Sequence, residues 1–128
     1  MTNTRSAAAR AAINRLPAGE RFDLFVDEVT ASGSLWSLAN GDDWVVMSCD
    51  GDECLPLWPD ADFAADFANG DWADCTARPI SLEVFISRWV AGLTRDGTLL
   101  AVFPNDGDEG IVITPDELAE SLRGDAGR

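Results

Sequence analysis

Two stretches of the chain, residues 41–60 and 97–116, match each other without gaps, so that Gly41 aligns with Gly97. Each copy carries the tetrapeptide Asp-Gly-Asp-Glu. The identical positions run from a turn to a helix start: Gly41/Gly97, Val46/Val102, Asp50/Asp106, Gly51/Gly107, Asp52/Asp108, Glu53/Glu109, Pro59/Pro115 and Asp60/Asp116. A β-hairpin cannot bury its apolar face alone, so we expect the helix after each hairpin to cover it and the two units to share one core. Both acidic turns should then be exposed to solvent.

Apolar periodicity and turn residues predict the other elements of an α+β domain. The expected order is α-α-β-β-β-α-β-α-β-β-α, in which the two hairpin–helix units pack with an N-terminal helical segment and a central amphipathic helix. The predicted helices cover residues 5–16, 18–30, 59–68, 81–96 and 114–123. The predicted strands cover residues 34–39, 43–48, 54–58, 72–78, 98–103 and 110–113.

Two local signals and the expected domain boundaries make these predictions specific. Pro56 indicates that the strand at residues 54–58 lies at a sheet edge, because proline cannot donate to a ladder. The residues Thr114-Pro115-Asp116-Glu117 form a capping box with proline at the first helical position. We expect residues 1–17 to be an N-terminal helical segment, residues 18–123 a single α+β domain, and residues 124–128 a flexible tail.

The charge balance restricts the class of partner. The chain has 23 acidic residues against nine arginines, no lysine and no histidine, which gives a formal net charge of −14. Such a field repels phosphate backbones and anionic membranes and attracts basic proteins, although an acidic surface also keeps a protein dispersed. We expect no nucleic-acid or membrane partner. The lack of a signal-peptide pattern and the odd number of cysteines, three, favour a cytoplasmic protein.

The residue types that most enzymes need are missing. There is no histidine to act as a general base, no lysine for a Schiff base and no tyrosine as a phenolic acid. No glycine-rich phosphate loop opens a helix. A pair of carboxylates could still act as in glycosidases, so that alternative stays open. We otherwise predict a protein that is not an enzyme, with no catalytic residues and no cofactor.

Metal binding is the second alternative. Cys49 and Cys54 have a spacing found in zinc sites, and Cys75 could add a third ligand. The same two cysteines could instead pack as small apolar residues across a hairpin or form a local disulfide. The acidic turns could attract calcium, but neither supplies the twelve-residue loop of an EF-hand. We therefore assign no metal ligand.

Exposed carboxylates beside tryptophan are typical of interaction surfaces. Trp58 and Trp72 flank the helix that begins near Pro59 and are, of the five tryptophans, the best candidates for partial exposure, although packing in the core is the commoner role of this residue. The predicted partner-binding residues are the two acidic turns and these tryptophans: Asp50, Asp52, Glu53, Trp58, Trp72, Asp106, Asp108 and Glu109.

Several short motifs in the sequence resemble those of a known family. They include Leu55-Pro56-Leu57-Trp58-Pro59, Gly70-Asp71-Trp72, Val102-Phe103-Pro104 and Thr114-Pro115-Asp116-Glu117-Leu118. Over roughly residues 20–123 the chain resembles the bacterial family catalogued as domain of unknown function 2750. This resemblance implies no activity and no catalytic residues. The second half is also similar in layout to SseB-type domains, which are associated with secretion and protein interaction.

These features favour a non-enzymatic protein-interaction module that meets a basic partner through its acidic turns. One form of such a module is an immunity or inhibitor protein that shields a cationic toxin. The alternatives are a small metal-binding protein that uses Cys49 and Cys54 or the acidic turns, and an enzyme with a carboxylate pair.

Overall fold

Two small β-sheets surrounded by helices form the body of the protein. The computed structural model describes residues 6–49, 51–68, 74–105 and 110–126. The described helices are α1 (Ala7–Asn14), α2 (Ala18–Ser32), α3 (Ala61–Phe67), α4 (Leu82–Val84), a π-helical turn (Phe85–Trp89), α5 (Val90–Asp96) and α6 (Pro115–Ala126). The strands are β1 (Ser34–Asn40), β2 (Asp43–Trp44), β3 (Met47–Cys49), β4 (Asp52–Leu57), β5 (Thr76–Ser81), β6 (Leu99–Val102) and β7 (Ile111–Ile113). The predicted single α+β domain is confirmed.

The first sheet has the order β2-β1-β5. Strand β1 pairs with β5 antiparallel along its whole length, from Ser34↔Ser81 to Ala39↔Thr76. On its other edge β1 pairs with β2 at only two positions, and Gly41 makes the turn between them with a φ of 66°. The predicted hairpin therefore exists but is short.

The second sheet has the order β3-β4-β6-β7 and contains two antiparallel hairpins. The first pairs Met47 with Cys54, and the second pairs Val102 with Ile111. In the first hairpin the numbers of two paired residues add to 101, and in the second they add to 213. The difference, 112, is twice the 56-residue offset between Gly41 and Gly97, so each pair in one hairpin corresponds to a pair in the other. The two hairpins thus share the register that the aligned segments require.

The two sheets meet where Trp36 of β1 pairs with Trp58, just after β4. Their backbones exchange two hydrogen bonds, of 2.9 Å and 2.8 Å, in an antiparallel bridge. This junction corrects the prediction of one strand at residues 43–48. Because Trp58 occupies the edge of β1 at Trp36, β2 cannot continue along β1, and the chain crosses to β4 as the separate strand β3.

The predicted edge position of Pro56 is also wrong. Strand β4 lies between β3 and β6, and Pro56 pairs in register with Ala101 of β6. The proline is tolerated because the pairing with β3 ends at Cys54, two residues earlier. Its carbonyl accepts a 2.6 Å hydrogen bond from the hydroxyl of Ser37, which is fully buried.

Helix starts follow local capping chemistry. The carboxylate of Asp60 accepts from the amide of Phe63 at 3.0 Å, so Asp60 is the N-cap and α3 begins at Ala61, two residues after the predicted start at Pro59. The predicted capping box of α6 is confirmed. Thr114 Oγ1 accepts from the Glu117 amide at 3.2 Å, and Glu117 Oε1 accepts from the Thr114 amide at 3.0 Å.

One apolar core is shared by the helices and both sheets. The largest side chains in it that are less than 2% exposed are aromatic or leucine, apart from Arg21. The helices α2, α3 and α6 supply Phe25, Phe63 and Leu118 to it. Among the described residues, no helix combines the length and the apolar character that crossing a membrane requires.

The return from β6 to β7 depends on Gly110, which has a φ of 77°. A Cβ at this position would lie against the carbonyl oxygen of Val102 and 3.0 Å from its carbonyl carbon. Gly51 has a similar φ of 88°, but its Cβ would meet nothing within 4 Å.

We expect Gly51→Ala to lose about 1–2 kcal/mol of unfolding free energy from the left-handed backbone alone. Gly110→Ala should lose about 1–3 kcal/mol more than Gly51→Ala, because its Cβ also meets the Val102 carbonyl. Urea unfolding measures both losses. Equal losses in the two variants would contradict the close approach at Gly110.

The capping box makes stability depend on pH. Hydrogen bonds from the backbone and side chain of Thr114 hold the pKa of Glu117 below its ordinary value of 4.5. Its contribution to stability is therefore complete above that ordinary value and is lost as the pH falls through the folded-state pKa. We expect Glu117→Gln to lower the melting temperature at pH 7 and the difference from the parent protein to shrink on acidification. Glu120→Gln, on an exposed residue of the same helix, is the matched control, and a difference that grows in acid would be evidence against the cap.

Candidate protein-interaction surface

The first acidic turn joins β3 to β4. Gly51 makes the turn with a positive φ, and both Asp52 and Glu53 are exposed. Asp52 pairs with Cys49 and Glu53 with Ser48, so the two carboxylates leave opposite faces of β4. The predicted exposure of this turn is confirmed for the described residues; Asp50 lies outside them.

A second acidic turn, between β1 and β2, lies at the same end of the molecule. From the antiparallel Trp36–Trp58 bridge, the later residues of β1 and the earlier residues of β4 extend in the same direction. The turn after β1 contains the exposed residues Asp42 and Asp43, and the turn before β4 leads into Asp52 and Glu53. We call the side chains of Asp42, Asp43, Asp52 and Glu53 the acidic end.

The carboxylates of the acidic end are not neutralised within the described part of the chain. Over residues 6–49, 51–68, 74–105 and 110–126, none of the four makes a hydrogen bond or an ion pair through its side chain. Asp66 on α3, in contrast, accepts from Arg10 Nε at 2.6 Å. One cation lies close by, since the Arg78 guanidinium donates to the Gly41 carbonyl at 3.4 Å, but it forms no ion pair with these four acids. Their charge is therefore available to a partner.

The acidic turn of the repeated copy cannot be assigned to this surface. Asp106, Asp108 and Glu109 lie outside the described residues. The end of β6, which precedes them, is held by a 2.7 Å hydrogen bond from the Phe103 amide to the Leu57 carbonyl. Since β4 and β6 run parallel, the end of β6 and the start of β4 lie at opposite ends of the sheet.

The predicted exposure of Trp58 is wrong. Its side chain is only 1% exposed, and its indole N–H donates to the Pro104 carbonyl at 3.1 Å. The ring also packs against Phe67 at a centroid distance of 5.1 Å. The prediction relied on the closeness of Trp58 to an acidic turn in the sequence. In the structure Trp58 is buried because it follows a strand whose two faces are buried. Trp72 lies outside the described residues.

The cysteines do not meet as a set of three. Cys49 and Cys54 are buried in one small cluster with Ala101, whereas Cys75 packs against the main core, and none of the three is in a disulfide. In the described parts of the chain, no group of three or more histidine, cysteine, aspartate or glutamate side chains is placed to hold a metal ion.

Sequence reasoning missed the contribution of Asp42 and Asp43. The segment Asn40-Gly41-Asp42 indicated a hairpin turn, but the repeat directed attention to residues 50–53 and 106–109 as a pair. Only the Trp36–Trp58 bridge shows that the turn at residues 41–43 and the start of β4 at Asp52 and Glu53 lie toward the same end of the molecule.

Comparison with known proteins gives a family and no activity. No curated protein and no solved structure matches the chain. The similarity of the second half to SseB-type domains is not confirmed. A family model described as "Protein of unknown function (DUF2750)" matches residues 22–122. This span includes both sheets and all the helices from α3 onward except the last residues of α6. The chain therefore belongs to the DUF2750 family.

Proposed function

We propose that the protein is a non-enzymatic interaction module that binds a basic protein through its acidic end. The observation that carries this proposal is the grouping of four exposed carboxylates, from two different turns, at one end of the two joined sheets. The turns are held by antiparallel pairing on both sides, so little ordering is required when a partner binds.

The charge of the whole chain supports the same class of partner. A net charge of −14 attracts a cationic surface over distances beyond direct contact and accelerates association. An inhibitor or immunity-type protein that covers the basic surface of a toxin is one form this function can take. The absence of histidine, lysine and tyrosine from the sequence favours binding over catalysis. Three cysteines that form no disulfide support a cytoplasmic location as part of the proposal.

The test compares two sets of four neutralising substitutions. The first removes the acidic end with Asp42→Asn, Asp43→Asn, Asp52→Asn and Glu53→Gln. The matched control neutralises exposed acids elsewhere with Asp23→Asn, Asp27→Asn, Asp74→Asn and Glu120→Gln. Each set changes the formal net charge from −14 to −10, so the total charge is equal and only the position differs.

We expect partners captured from a cell lysate by the parent protein to bind the control variant and to be lost from the first variant. Binding of an identified partner, measured by surface plasmon resonance, should weaken between about 0.1 M and about 1 M salt, where the Debye length falls from about 10 Å to about 3 Å. Equal binding by the two variants would show that the acidic end is not the site. Affinity that does not change with salt would rule out an electrostatic partner.

A further inference from the structure

A cavity of about 680 Å³ lies on a different part of the surface from the acidic end. It is enclosed by the connection between α1 and α2, by α3 and by the segment that follows β6. Its lining combines apolar side chains, among them Phe63, Phe67 and Pro104, with charged ones, Arg15, Arg21 and Asp66. Arg15 and Pro17 are exposed, so the cavity opens to solvent. Its volume is in the range of pockets that hold small organic ligands.

The apolar side of the cavity is fixed by aromatic packing. Phe63 is 2% exposed and its ring lies 4.7 Å from that of Phe103, edge to face. Phe67 is half-buried and packs on Trp58, whose indole N–H holds the carbonyl of Pro104. A ligand therefore meets a preformed wall rather than side chains that must rearrange.

The polar side of the cavity carries two guanidinium groups. Arg21 is only 2% exposed, and its Nε and Nη1 donate to the carbonyls of Phe103 at 3.0 Å and Leu16 at 2.6 Å. Those bonds hold the connection between α1 and α2 against the end of β6. Arg15 lies beside it at the mouth of the cavity, and in the described part of the chain its side chain makes no hydrogen bond or ion pair.

The acid in the lining is engaged in an ion pair with a third arginine. Asp66 accepts from Arg10 Nε at 2.6 Å, a contact that fastens α1 to α3. The side-chain amide of Asn105 donates to the Asn14 carbonyl and fastens the same connection to the segment after β6. In a chain with 23 acidic residues and nine arginines, a cavity lined by two arginines and one ion-paired aspartate is a local exception to the overall charge.

The arginines of the cavity belong to a part of the chain outside the family match. The match covers residues 22–122, which include the apolar wall with Phe63, Phe67 and Pro104. Arg15 and Arg21 precede it. The shared domain thus supplies the apolar wall, and the N-terminal segment supplies the cationic side.

We propose that this cavity binds a small organic anion, with its anionic group on Arg15 and its apolar body against Phe63 and Phe67. Arginine binds carboxylate, sulfonate and phosphate oxygens through charge-assisted hydrogen bonds, which orient the ligand at the cavity mouth. The ring faces of the phenylalanines favour a flat, aromatic body. This site is independent of the acidic end, and either proposal can fail without the other.

The test titrates the full chain with 2-naphthoate and with its uncharged isostere 2-naphthamide by isothermal calorimetry. We expect naphthoate to bind and naphthamide to bind at least about tenfold more weakly, which is the loss of one charge-assisted hydrogen bond. Arg15→Gln should weaken naphthoate by about the same factor and leave naphthamide unchanged. Arg88→Gln is the matched control, since it removes one exposed arginine outside the cavity.

Nuclear magnetic resonance locates the bound probe without a substitution. The Trp58 indole N–H bonds to a carbonyl of the cavity wall, so naphthoate should shift its resonance, whereas the indoles of Trp44 and Trp89, which pack on each other at 4.9 Å, should not move. No binding of naphthoate at millimolar concentration, shifts confined to Trp44 and Trp89, or an equal loss in Arg88→Gln would each overturn the proposal. Equal affinity for the two probes would overturn the anionic part of it.

Discussion

Trp36 and Trp58 exchange two backbone hydrogen bonds, and the rest of the structure is arranged around that exchange. The bridge closes the edge of β1, so the chain after β2 must cross to β4, and it joins a three-stranded and a four-stranded sheet over one core. Burial of the Trp58 ring follows from it, because the residue lies between the strands it connects. An indole N–H in such a place needs an acceptor, which the Pro104 carbonyl provides. The same residue therefore fixes the end of β6 and one wall of the cavity.

The functional proposals follow from the two sides of this junction. On one side the later residues of β1 and the earlier residues of β4 extend together, which places the carboxylates of two turns at the acidic end. On the other side the end of β6, the helix α3 and the connection between α1 and α2 enclose the cavity with its arginines. A strongly acidic chain can in this way present a negative surface to a protein partner and still hold a positive pocket for a small anion.

Features set by neighbouring residues were predictable from the sequence. The capping box at Thr114 and Glu117 and the hairpin register that the repeat requires depend on local spacing, and the structure has both. Features set by distant pairing were not. Pro56 indicated an edge strand because nothing local shows that the pairing of β4 with β3 ends at Cys54, and Trp58 looked like a surface residue because its partner Trp36 is 22 positions away. For the same reason the sequence did not indicate that Asp42 and Asp43 lie at the same end as Asp52 and Glu53.

The junction between the sheets is tested most directly by native-state hydrogen exchange of the backbone amides of Trp36 and Trp58. Each amide donates to the other residue's carbonyl. If this pair unites the two sheets into one cooperative body, the two amides exchange only through global unfolding, with the same free energy as the amides of β6 in the centre of the second sheet. Exchange of Trp36 and Trp58 at a distinctly lower free energy than those β6 amides would show that the sheets separate independently. That result would contradict both the shared core and the fixed acidic end.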